Sequence, residues 1–115
     1  MSYIFDGAQG QDWQQQNRVF YSMSGPLLDS LRETPKAGAI AERLTETINT
    51  ESGWMDASDL LESPELSATW VTAVDKAIAK LRERGSAHWH QPEEFEPFLE
   101  KVGKLKSLAL VRQRA

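Results

Sequence analysis

The sequence predicts an all-α protein, a single compact bundle of about five or six helices, and three observations carry that reading. The first is one complete amphipathic helix with both ends marked. Ser63 suits the capping position, Pro64 the first helical position, and Leu66, Trp70, Val74, Ile78 and Leu81 recur at helical spacing until Gly85 stops the run. The second is a set of further apolar stripes at the same spacing, separated by glycine and proline. The third is size. A chain of 115 residues holds one domain and buries roughly two-thirds of its unfolded surface on folding, enough for a core without metal or disulfides.

Taken in order, Met1 to Gly10 has Gly7 and Gly10 and no helical period. It reads as a loosely held N-terminal arm in which Tyr3, Ile4 and Phe5 can dock. From Gln11 to Ser24, Trp13, Phe20 and Met23 share one helical face, a pattern weakened by Gln14 to Gln16. Gly25-Pro26 then breaks the chain, Leu27, Leu28 and Leu31 make a short helix, and Thr34-Pro35 ends it. The next stripe is Ala37, Ile40, Ala41, Leu44 and Ile48, with Gly53 past its end. Asp56 suits the cap of a brief helix over Ala57 to Glu62, directly before the long helix.

After Gly85, Ser86 to His90 alternates at period two, which allows a short β element near residues 87–90. Pro92 to Phe95 reads as a separate turn. The last helix is placed from Pro97, with Phe98, Leu99, Val102, Leu105 and Ala109 inward.

The net charge of −4 hides an uneven layout. Between Glu42 and Glu65 there are seven acids against Arg43 alone. From Pro97 to Ala115, Lys101, Lys104, Lys106, Arg112 and Arg114 stand against Glu100. An acidic segment therefore precedes a basic tail. With no cysteine, disulfides, thiolate nucleophiles and cysteine metal sites are excluded. No apolar run approaches a membrane span and no signal peptide is evident, which places the protein in the cytoplasm.

The segment 40–90 resembles a winged helix-turn-helix module: a helix, a short helix at Asp56 to Glu62, and a longer helix ending Leu81-Arg82-Glu83-Arg84-Gly85, followed by the β-like Ala87 to His90. The second wing strand of that family is not evident. The resemblance implies either DNA binding through the long helix or, as in some relatives, protein assembly. The early turns of that helix, Glu65 to Thr69, lack the cations that phosphate binding requires. Lys76, Lys80, Arg82 and Arg84 lie in its second half, where they complement the helix dipole. Nucleic acid is therefore the less favoured partner.

Chemistry is sparse. His88-Trp89-His90 is the one cluster with metal-ligand character, and it lacks a third nitrogen or sulfur ligand, so no metal site and no cofactor are expected. No serine lies in a nucleophile-elbow context, and Gly7-x-x-Gly10 lacks the lysine of a phosphate loop. The chain is accordingly read as no enzyme. Trp70 belongs to the core, whereas Trp54 stands inside the acidic segment. The expected site is an acidic protein-binding face formed by Glu46, Glu51, Trp54, Asp56, Asp59 and Glu62, facing a protein partner with a basic surface. An inhibitor, immunity or adaptor protein has this character. A winged-helix DNA-binding regulator and a helical subunit of a larger assembly, homo-oligomers included, are the alternatives.

Overall fold

The computed structural model describes residues 2–86 and 91–110. It is mostly helical, but it is not all-α: three strands form a small sheet. In chain order, β1 (Ser2–Asp6) and β2 (Asp12–Gln16) make a hairpin. There follow α1 (Asn17–Glu33), α2 (Gly38–Thr50), β3 (Trp54–Asp56), α3 (Ser58–Leu61), α4 (Pro64–Arg84) and α5 (Phe95–Gly103). Short 3-10 turns occur at Ala8–Gly10, Pro92–Glu94 and Lys104–Leu108.

The expected loose arm is instead the central strand. β1 pairs antiparallel with β2 and parallel with β3, giving the order β2-β1-β3. The reason is a period of two rather than 3.6: Tyr3 and Phe5 are buried, while Ser2, Ile4 and Asp6 take the other face. Tyr3 stacks on Phe20 at 3.8 Å and Phe5 meets Trp13 at 5.1 Å, so an aromatic cluster holds the strand down. The glycines that suggested looseness belong to the hairpin connection, where Gly10 and Gln9 adopt positive φ of 74° and 59°. Trp13 lies on β2, not on a helix. The glutamines that interrupt the helical pattern are strand residues, Gln14 and Gln16 outward and Gln15 half-buried.

A second correction concerns Gly25-Pro26, which does not break the chain: α1 runs through it. Val19, Phe20, Met23, Leu27 and Leu31 form one buried stripe across the proline, and that burial outweighs a cost of about 3 kcal/mol for interior proline. Ser30 Oγ donates to the Pro26 carbonyl at 2.8 Å, and Thr34 Oγ1 to the Ser30 carbonyl at 2.7 Å.

Other boundaries follow the sequence. Thr34 ends α1, the Ala37 to Ile48 stripe becomes α2, and Ser63 Oγ accepts the Leu66 N–H at 3.2 Å above Pro64. Gly85 stops α4 with φ of 73°. The last helix starts at Phe95 rather than Pro97, which occupies its first turn, where no intrahelical N–H bond is lost. The β element expected near 87–90 lies outside the described residues. The segment that resembles a winged helix folds as α2, β3, α3 and α4, with its strand paired to the N-terminal β1.

Two tryptophans fasten the C-terminal part onto this core. Trp70, fully buried, donates from Nε1 to the Leu105 carbonyl at 2.7 Å, and Trp13 to the Lys101 carbonyl at 2.8 Å. Each bond satisfies an indole N–H that burial would otherwise strand. Leu108 closes on Gly7, where an added Cβ would lie 2.5 Å from the Leu108 Cβ and carbonyl oxygen. The helices thus cover one face of the sheet, and the outer face carries Trp54, Asp56, Gln14 and Asp12 exposed.

Candidate protein-binding groove

An open groove of about 500 Å³ lies between α2 and β3. Its α2 wall is Arg43, Glu46, Thr47 and Thr50, and Trp54, Asp56 and Asp59 border the other side. Four of the six residues expected for the acidic face therefore meet: Glu46, Trp54, Asp56 and Asp59. The other two do not line it. Glu51 sits in left-handed conformation at the end of α2, with φ of 52°. Glu62 accepts the Gln9 backbone N–H at 2.8 Å, tied to the β1–β2 connection.

The groove is partly self-neutralised. Arg43 Nη1 donates to the Asp56 carbonyl at 2.6 Å and to Asp59 Oδ1 at 2.8 Å, with Nη2 reaching Asp59 Oδ2 at 3.4 Å. This fork holds the Asp59 carboxyl below its ordinary range and raises the Arg43 guanidinium above its own. The Asp56 carboxylate accepts from Ser58 Oγ at 2.6 Å and from the Ser58 N–H at 3.0 Å. Those bonds lower its pKa and set the turn into α3. Asp56 is not the cap itself: Ala57 holds that position without a side-chain bond, and Asp56, the last residue of β3, sets the turn one residue earlier through Ser58. Glu46 stands exposed on α2.

Trp54 is 53% exposed, yet its ring is fixed, because Nε1 donates to Asp6 Oδ2 on the neighbouring strand at 2.7 Å. The parallel register places Ile4 beside Trp54 and Asp6 beside Asp56 on the same outer face. Asp6 is not legible as a site residue while residues 1–10 read as an arm without a helical period. The alternation of residues 2–6 is the signal that places Asp6 there. Arg43, the lone cation of the acidic run, organises the site through its bonds.

A second shallow groove of about 520 Å³ lies on the other flank of α2, lined by Arg32, Ala41, Glu42, Thr45, Glu46 and Asn49. Among the described residues no cluster of histidine, aspartate and glutamate is arranged to hold a metal, and His88 and His90 lie outside them. No helix among the described residues is long and apolar enough to cross a membrane.

Three of the four cations of α4, Lys76, Lys80 and Arg82, are engaged within the chain. Lys80 Nζ meets Glu33 Oε2 at 2.9 Å, Lys76 Nζ donates to the Glu33 carbonyl at 3.4 Å, and Arg82 pairs with Glu96 at 3.1 Å. The Lys80 bond holds the Glu33 carboxyl low. From the C-terminal part, Lys106 pairs with Asp75 at 2.9 Å. No family model matches the chain, and no curated protein or solved structure matches it.

Proposed function

We propose that this chain is a non-enzymatic protein-binding module whose groove between α2 and β3 receives a basic segment of a partner protein, with Trp54 as the apolar anchor. The observation that carries this reading is Trp54 itself: a large aromatic, half open to water and fixed by Asp6, beside the carboxylates of Glu46, Asp56 and Asp59. An indole fixed before binding loses little rotamer freedom on association, and tryptophan is enriched among residues that dominate binding energy. The surrounding acids steer and select a basic surface. A cytoplasmic inhibitor, immunity protein or adaptor acting on a basic target is the role this arrangement suits. Two of the α4 cations that DNA binding would need, Lys80 and Arg82, are already paired to Glu33 and Glu96.

Affinity capture from the host, mass spectrometry and binding kinetics with the purified captured partner test this. Glu46→Lys should slow association and flatten its salt dependence. Trp54→Ala should speed dissociation on the order of 30-fold, the scale of a hot-spot loss near 2 kcal/mol. If these variants bind like the wild type, while Lys76→Glu with Lys80→Glu abolishes a salt-sensitive DNA complex, the groove is not the site and the winged-helix reading replaces it.

A further inference from the structure

The two edges of the sheet are treated differently. On β3, Ile4 N–H donates to the Gly53 carbonyl and Ala57 N–H to the Asp6 carbonyl, both at 2.9 Å, which turns the Trp54 and Asp56 backbone toward the open edge. That edge is guarded: Arg43 occupies the Asp56 carbonyl, and Ser52 Oγ donates to the Trp54 carbonyl at 3.0 Å.

On β2 the Gly7 N–H donates to the Gln11 carbonyl at 2.8 Å, in a register that pairs Phe5 with Trp13 and Tyr3 with Gln15. The alternation of an antiparallel ladder then directs the backbone of Trp13 and Gln15 to β1, and that of Asp12, Gln14 and Gln16 outward. Among the described residues no backbone bond outside the hairpin and α1 reaches 12, 14 or 16. The strand has no lysine, proline or bulge to discourage pairing.

We infer that β2 pairs antiparallel with β2 of a second copy of this chain about a two-fold axis at Gln14, joining two sheets into one of six strands. The pattern is self-complementary in that register. Gln14 and the partner's Gln14 exchange both backbone bonds, and the Gln16 N–H at each end meets the carbonyl of the partner's Asp12. On the outer face each Asp12 carboxylate lies opposite a glutamine amide. The two aspartates stay four residues apart, about 13 Å. No like charges meet, as a two-fold interface requires. This surface is separate from the groove between α2 and β3, so the dimer stands or falls independently of the binding reading.

Sedimentation and light scattering on the full chain over rising concentration should show a reversible monomer–dimer equilibrium. Gln14→Lys, which sets two ammonium groups across the axis, should shift it to monomer with the thermal melt unchanged, while Glu42→Lys leaves it alone. Because the chain has no cysteine, Gln14→Cys gives one thiol per copy. Paired Cα atoms about 5.5 Å apart permit a disulfide, so mild oxidation should produce a covalent dimer with Gln14→Cys and not with Asp12→Cys. A monomer at every concentration, a dimer indifferent to Gln14→Lys, or equal cross-linking by the two cysteine variants would overturn the inference. So would a monomer that dimerises only after residues 111–115 are deleted, since the chain itself would then cover the edge.

Discussion

Trp70 and Trp54 each donate an indole hydrogen bond of 2.7 Å, yet one is fully enclosed and the other is 53% exposed. At Trp70 the bond and the burial act together. The ring fills the core while its N–H satisfies the Leu105 carbonyl, so losing it leaves both a cavity and an unpaired acceptor. At Trp54 the bond holds the ring without covering it. The partner atom is a carboxylate on β1, and about half of the residue stays in water. Tryptophan thus serves cohesion at Trp70, and the proposed role at Trp54 is presentation; the accepting atoms differ accordingly, a backbone carbonyl of the packed 3-10 turn at Leu105 and the carboxylate of half-buried Asp6.

The contrast breaks first at the core. Trp70→Ala should destabilise the protein by roughly 3–5 kcal/mol in chemical denaturation. A loss below about 1 kcal/mol would mean that Trp70 does not join α4 to the C-terminal segment. Gly7→Ala, which forces a methyl against Leu108 at the same segment, should cost about 1–3 kcal/mol through overpacking, read as a shift in denaturation midpoint at constant slope. By comparison Trp54→Ala should lower stability by at most about 1 kcal/mol, the net worth of one exposed hydrogen bond.

Two titrations separate the same regions. Tyr3, buried and hydrogen-bonded to Tyr21 at 3.3 Å, is pushed up from 10.0 to about 12, first by that bond and then by burial. Its contribution is fully present below pH 10 and is lost as pH rises toward 12, because the unfolded chain ionises first. Alkaline melts should show that slope, and Tyr3→Phe should flatten it. In the groove the signs reverse. Ser58 lowers Asp56 and Arg43 lowers Asp59, so their contribution is present above the ordinary value of 3.8 and lost as pH falls through the depressed folded values. Both are largely solvated, so the acid effect should be the smaller one. Arg43→Ala should remove most of the part due to Asp59.

The sequence made the long elements legible and the short ones illegible for one physical reason. A helix such as α4 repeats its stripe over 21 residues with a cap at each end, so many positions agree. β1 and β2 have five residues each, and a two-residue period over that length is easily taken for no period. Gly25-Pro26 carries the local signature of a break, but the buried stripe from Val19 to Leu31 spans it and keeps the helix whole. At the site, the approach of Glu46 to Asp56 and Asp59 follows from α2 meeting β3, which charge clustering along the chain anticipates. The Asp6 tether does not. It joins residues 48 positions apart and depends on a strand pairing that the sequence reading lacked. Glu51 and Glu62 belong to the same acidic run, and the helix end and the Gln9 bond carry them off the groove.

In the proposed function Trp54 presents its ring to a partner rather than supporting the fold. The most direct measurement is the dissociation rate of the captured basic partner from Trp54→Ala, taken at a temperature where denaturation shows the variant fully folded. Dissociation should be faster on the order of 30-fold, from a protein nearly as stable as the wild type. An unchanged dissociation rate would contradict it, as would a loss of stability equal to that of Trp70→Ala.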